Sequence, residues 1–288
     1  MTAALAAHCV TALVIGSTYA LMALGLTMTY GVLRVLHIAH GAVYTLGAYV
    51  GLLAFRATGS FLAALAAAGL ACGIAGALLY LLVYRPLLPL PRYVPLIASI
   101  GLLILLQDLY RLIWGPYTLP FGAPFPVAPL RLGPVAATIP QVVVVAVAAA
   151  LLAAVWWLLH RTRLGLAWRA AAEDLELAGS AGVPLHAALT MNLLVGSALA
   201  GAAGMLVGMY YGEVFPTMGF VPSYKGFVII ILGGMGRVIG TVAAAFLLGF
   251  SETFIVAWAG FLLPRDAIAF LVMLVLLAFR PTGLFASR

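Results

Sequence analysis

Apolar residues run in long windows, at about residues 5–30, 38–55, 60–84, 93–114, 137–160, 187–211, 226–236, 239–260 and 266–280. A helix needs about 20 apolar residues to cross the hydrocarbon layer of a bilayer, so most of these windows read as membrane spans. The seventh is shorter. It reads Phe227-Val-Ile-Ile-Ile-Leu-Gly-Gly-Met-Gly236, and a glycine-interrupted run of that length is a half-helix or a re-entrant piece, allowed only where protein buries its backbone. The pattern predicts an all-α, polytopic helical membrane bundle of eight or nine segments, forming a single domain over residues 1–288.

Two connections stand out between the windows. The stretch from Gly115 to Pro134 carries Pro116, Pro120, Pro124, Pro126, Pro129 and Pro134. Proline fixes φ and removes a donor, so this is a stiff irregular cap that either shields one end of the bundle or serves there as a docking surface or lid. The stretch 161–186 holds six of the chain's charged residues, including Glu173, Asp174 and Glu176. On a helical projection Leu164, Trp168, Ala171, Leu175 and Ala178 form one apolar stripe, with Arg169, Glu173 and Glu176 opposite. That predicts an amphipathic helix outside the membrane core, closed by Gly182-Val183-Pro184, with Arg169 and Glu173 spaced as an i,i+4 pair.

Composition strengthens the membrane reading. Hydrophobic residues make up 66% of the chain, charged ones 7%, and mean hydropathy is +1.21, whereas soluble domains carry about 25% charged residues. The net charge of +7 comes from basic residues scattered singly between apolar runs, which argues against a nucleic-acid stripe. It sets orientation instead. With 161–186 in the cytoplasm, a nine-crossing chain places Arg34, Arg85, Arg92, Arg161, Arg163, Arg169, Arg237, Arg280 and Arg288 inside, so the positive-inside bias puts the N-terminus outside and the C-terminus in the cytoplasm. Met1 to Val10 has no basic stretch ahead of its apolar residues and reads as the lead into a retained first helix. Cys9 and Cys72 lie in apolar windows and give no disulfide framework or CxxC site.

Candidate chemistry is sparse. The chain has no GxxxxGK[ST], HExxH, GxSxG or CxxC, so neither a phosphate-cradling loop nor a hydrolytic centre is expected, and no cofactor. His37 and His40 share a helical face but lack a third ligand, which points to packing or a helix-start hydrogen bond before a metal. Asp108 and Arg111, one turn apart, are expected to pair, because a lone charge in hydrocarbon costs about 2.5–3.5 kcal/mol. Glu252 has no evident local partner and is the better candidate for a residue facing a polar cavity or a neighbouring subunit, its alternative being an interface hydrogen bond inside the bundle. A solute path would draw on mild polar groups, Thr27, His40, Tyr44, Asn192 and Glu252, with Ser17, Thr18, Thr29, Thr45 and Ser197 as further hydroxyls, although for most of these the plainer reading is a helix–helix hydrogen bond. Gly196, Ala200, Gly204 and Gly208 recur at every fourth position, making a flat ridge for close helix packing.

Several runs carry a resemblance. Gly25-Leu-Thr-Met-Thr-Tyr-Gly-Val-Leu-Arg-Val-Leu-His-Ile-Ala-His-Gly41, Tyr84-Arg-Pro-Leu87, Ala98-Ser-Ile-Gly-Leu102, Arg169-Ala-Ala-Ala-Glu-Asp174, Tyr210-Tyr-Gly212, Leu232-Gly-Gly-Met-Gly236 and Phe279-Arg-Pro-Thr-Gly-Leu-Phe285 follow one another along the chain. In this order and spacing the sequence resembles the permease subunits of branched-chain amino acid ABC importers, the high-affinity leucine, isoleucine and valine kind. The resemblance implies a bacterial inner-membrane protein that forms half of a translocation pathway. Its implied partners are a second related permease, two cytoplasmic ATPase subunits and an extracytoplasmic solute-binding protein. It also implies that the 161–186 connector seats on an ATPase through Glu173, Asp174, Glu176, Ala178 and Gly182. Similar permeases serve urea and short amides, and an ion-coupled transporter would need mid-bilayer carboxylates, for which only Glu252 qualifies.

Overall fold

The computed structural model describes residues 2–122, 124–126, 129–132, 135–259 and 264–279. Its helices are α1 (Thr2–Leu33), α2 (His40–Thr58), α3 (Phe61–Leu87), α4 (Tyr93–Trp114), α5 (Ile139–Arg161), α6 (Arg163–Glu173), α7 (Leu175–Ser180), α8 (Leu185–Tyr211), α9 (Phe220–Gly233), α10 (Val238–Ala259) and α11 (Arg265–Phe279). Among the described residues six helices, α1, α3, α4, α5, α8 and α10, are long and apolar enough to cross a bilayer, while α9 and most of α11 are shorter apolar helices. The closing motif beyond Phe279 lies outside the described residues.

Burial sorts the helices into layers. In α1 and α8 72% of the apolar window is buried, against 28%, 17% and 22% in α3, α4 and α5. The first two form the centre and the others expose leucines and isoleucines such as Leu62, Ile97, Leu105 and Leu112. In water such a surface would be costly; in lipid it is the expected outer face.

The centre is close-packed because glycine lets backbones touch. On α8, Gly196 faces Gly25 of α1 and Gly204 faces the Tyr44 carbonyl of α2. Gly208 packs against Val214 and Phe121, and Ala200 is fully buried. The small-residue ridge is therefore where three helices meet. α1 and α10 run antiparallel, with Gly16 against Gly249 at one level and a Thr27–Thr241 hydroxyl hydrogen bond of 2.8 Å at the other.

Local signals explain the ends. Ser60 caps α3 by accepting from Ala63 N, and Thr138 with Gln141 forms a capping box that opens α5. Within α3, Tyr80–Tyr84 forms a π-helical turn ahead of Pro86, whose ring and missing N–H disfavour regular α geometry there. α1 ends at Arg34, a non-glycine residue at φ 54°.

The Pro-rich connection is not wholly irregular. β1 (Leu119–Pro120) pairs antiparallel with β4 (Glu213–Val214), and β2 (Pro129–Leu132) with β3 (Val135–Thr138). These ribbons lie at one end of the bundle, where Arg56 Nη2 donates to the Pro120 carbonyl. The opposite end holds the C-terminus of α1, α6 and α7, and the start of α8.

Two boundaries differ from expectation. The window at 226–236 is the later part of α9, which begins at Phe220, because Phe220-Val-Pro-Ser-Tyr-Lys continues the helix with a proline in its first turn. The single amphipathic helix expected through 164–178 is two helices broken at Asp174. This residue is extended, at φ −152° and ψ 116°, and its side chain caps α7 by accepting from Glu176 N and Leu177 N. Aspartate is a better N-cap than a mid-helix residue, so the local signal overrides the continuing apolar stripe.

Candidate functional site

The charged connector is seated from beneath. Thr162 accepts from Gly165 N at 3.1 Å to start α6, and Gly165 lies so close to the carbonyls of Leu158 and Leu159 that a Cβ would not fit. Trp168, 2% exposed, donates its indole N–H to the Ala188 carbonyl of α8 at 2.7 Å. Arg34 Nη2 donates to the Ala172 carbonyl at 2.9 Å, fastening the end of α1 to α6. Trp168 and Ala171 of the predicted stripe are buried, but Leu164 is exposed.

Of the five residues expected on the connector's contact face, Glu173, Asp174, Glu176 and Gly182 are exposed, whereas Ala178 is buried in the hydrophobic core. Ala178 is a packing residue. The exposed face also contains Leu177, 69% accessible, which sequence reasoning passed over because it falls off the apolar stripe. An isolated leucine between Glu173, Glu176 and the chain turn is the signal that could have found it. Arg169 and Glu173 form no ion pair among the described residues; Arg169 instead borders a cavity described next.

Two cavities flank α1. The inner one, at the connector end, has a volume of about 560 Å³ and is bordered by Thr27, Asn192, Trp168, Arg169 and Arg237. The outer one, about 210 Å³, is bordered by Tyr19, Tyr44, Glu213, Lys225 and Asp266. Thr27 and Asn192 thus reach the first, and Tyr44 reaches the second. His40 reaches neither. It is fully buried at the start of α2, where its Nε2 lies 2.9 Å from the place a Cβ on Gly25 would occupy, and Gly25 in turn abuts Gly196.

His37, also buried, joins a chain that fixes the α1–α2 junction. Its Nδ1 lies 2.6 Å from the Tyr84 hydroxyl, which donates to Ser99 Oγ at 3.0 Å, and the same Ser99 Oγ accepts from Ala39 N at 2.9 Å. Among the described residues no group of three or more His, Cys, Asp or Glu could hold a metal ion. Asp108 and Arg111 pair at 2.7 Å as their spacing predicts, with both side chains about half exposed.

Glu252, with no partner near it in sequence, is held inside the bundle by groups from other helices. Lys225 Nζ lies 2.8 Å from Glu252 Oε1 and 3.1 Å from Asp266 Oδ1, and it donates to the Tyr19 hydroxyl at 2.9 Å. Tyr19 donates in turn to Glu252 Oε2 at 2.9 Å. Lys225, just ahead of the apolar window at 226–236, occupies the second turn of α9 and is 1% exposed. Sunk at that depth, an ammonium needs anionic partners, and α10 and α11 supply them.

The comparisons with known proteins agree with one another. Residues 9–279 match the family described as branched-chain amino acid transport system / permease component. The chain is 33% identical to the high-affinity branched-chain amino acid transport system permease protein BraD of Pseudomonas aeruginosa, over 96% of this chain and 94% of that protein. It is 32% identical to the corresponding protein LivH of Escherichia coli K12, over 94% and 92%, and 27% identical to a probable LivH of Methanocaldococcus jannaschii, over 95% and 90%. No solved structure matches.

Proposed function

The chain belongs to the family of permease components of branched-chain amino acid transport systems, and on that premise we propose that it forms half of the membrane pathway of an ATP-driven importer for branched-chain or related amino acids. Two cytoplasmic ATPase subunits hydrolyse ATP, a second related permease completes the pathway as a heterodimer, and an extracytoplasmic binding protein delivers the solute. The chain crosses a bacterial inner membrane eight or nine times, and with nine crossings its N-terminus is outside and its C-terminus in the cytoplasm.

The observation that carries this reading is the connector. Its acidic outer face, Glu173, Asp174 and Glu176 with Leu177, is presented to solvent while Trp168 and the Arg34 hydrogen bond hold its inner face on the bundle. A charged helix pair fastened to the bundle on one side and exposed on the other suits the transmission of force from a partner. The arginine bias supports a cytoplasmic position for it. Within the bundle, Thr27 and Asn192 border the inner part of the solute path, Tyr44 the outer part, and His40 lies where α1, α2 and α8 close between them. Glu252 acts on the path through Lys225.

Co-reconstitution with the neighbouring ATPases, partner permease and binding protein should give ATP-dependent uptake of labelled leucine into liposomes. Uptake driven by an ion gradient without any ATPase would reject the importer reading. Competition by urea or short amides, but not by leucine, would keep the mechanism and change the solute.

A further inference from the structure

The helix α4 has little to hold it. It leans on α2 and on the π-helical turn of α3 and stands away from the rest of α3. The space left between them is a groove of about 310 Å³, lined by Val43 and Leu46 of α2, Leu79 and Leu82 of α3, and Leu102 and Leu106 of α4. At its rim Leu82 is 72% exposed, on the outer face of the bundle. One end of the groove lies at the connector end of the bundle, where the Tyr80 hydroxyl and His186 Nδ1, at the start of α8, are 3.2 Å apart. Two exposed arginines stand there, Arg85 three residues past Leu82 and Arg92 at the cap of α4, and the exposed Tyr93 beside them occupies the place of an interfacial aromatic. None of the chain's seven acidic side chains, all of them described, pairs with either arginine. The first of the seven in sequence, Asp108, lies near the far end of α4 and holds Arg111.

In a bilayer an apolar groove is not selective by itself, since acyl chains surround it on every side; selectivity has to come from the charge at its end. Two guanidiniums at the membrane surface favour a headgroup whose phosphate carries a net negative charge. A neighbouring protein helix suits the groove less well. Membrane segments gather their basic residues at this same end, so like charges would face Arg85 and Arg92. We propose that the groove holds an acyl chain of one anionic phospholipid, with its phosphate on Arg85 and Arg92. The lipid bridges α3 and α4 where they do not touch, and it steadies the neighbouring Tyr84, whose hydroxyl meets His37 and Ser99 at the α1–α2 junction.

The test counts lipids retained by the purified full chain, alone and in complex with its partner permease and ATPases, by native mass spectrometry during titration with dioleoylphosphatidylglycerol or dioleoylphosphatidylcholine. One phosphatidylglycerol should bind about twentyfold more tightly than phosphatidylcholine, about fivefold per arginine, the ~1 kcal/mol of a basic residue at an anionic surface. The Arg85→Gln, Arg92→Gln double variant should lose that preference. An Arg161→Gln, Arg163→Gln double variant, which removes the same charge from exposed positions at the same end but off the groove, should keep it. Ala75→Phe, which fills the groove from its α3 wall, should shed the lipid with both arginines in place. Equal affinity for the two lipids overturns the proposal, and so does equal loss in the two double variants, which would mean diffuse surface attraction only. Undiminished retention by folded Ala75→Phe would place the lipid elsewhere and overturn it as well; if that variant does not fold, the exposed arginine pairs decide. Phosphatidylglycerol held by the chain alone but displaced in the complex would give the groove to a neighbouring subunit and sink the proposal.

Discussion

Lys225 of α9 and Glu252 of α10 form a buried ion pair at 2.8 Å, with Asp266 of α11 and Tyr19 of α1 completing the contacts of the ammonium. Four helices separated by up to 247 positions of sequence are tied at one point.

Breaking that pair from one side should be far worse than removing it. Lys225→Met leaves Glu252 buried without its cation, with an expected loss of about 3–5 kcal/mol, and Glu252→Leu should cost less, because Asp266 still faces the ammonium at 3.1 Å. The double variant should recover most of this. Thermal unfolding of the detergent-purified protein, followed by tryptophan fluorescence, gives the comparison; two single variants as stable as the parent would contradict the buried pairing.

The glycine seam predicts a contrast within one residue type. Gly204→Ala drives a methyl group into the Tyr44 carbonyl and should destabilise the protein by at least the ~1–3 kcal/mol typical of overpacking. Gly69→Ala meets nothing closer than the Ala198 carbonyl, at 3.9 Å, and should be tolerated or mildly stabilising. Melting curves of the two variants side by side check the seam. Equal effects would mean that α2 and α8 do not approach this closely.

Helix positions were legible because lipid imposes a length and an apolar composition that few other constraints imitate; windows at 60–84, 93–114 and 187–211 foreshadow α3, α4 and α8. Three particulars were not. Lys225 was missed because hydropathy weighs each residue by itself and cannot register that Glu252 and Asp266 will converge on it. The break at Asp174 was hidden because the apolar stripe continues past it, so the period of the pattern outvoted one capping side chain. The two cavities were invisible because they depend on how α1 packs against elements distant in sequence, although Thr27, Tyr44 and Asn192 did prove to border them.

Asp174 allows capping to be separated from docking. Asp174→Asn keeps a side-chain acceptor for Glu176 N and Leu177 N, so α7 should persist and any weakening of ATPase co-purification would report the lost charge. Asp174→Ala should also remove about 1 kcal/mol of cap, visible as faster proteolysis of the connector. Identical behaviour of both variants in proteolysis would mean that the cap is dispensable.

Glu173→Arg and Leu177→Ser should leave membrane insertion and melting unchanged, since both side chains are exposed, yet reduce co-purification with the ATPase several-fold. Undiminished recovery of the complex would count against this face as the contact.

Arg34 accepts a left-handed backbone at φ 54° and still reaches the Ala172 carbonyl, which makes α1 a pinned lever. The rod is unbroken from Thr2 to Leu33, and its flanks border the outer cavity at Thr18 and Tyr19 and the inner one at Thr27 and Met28. Any tilt imposed on the connector is therefore shared along the whole shaft, so one small rotation at the connector end bears on two distant chambers at once.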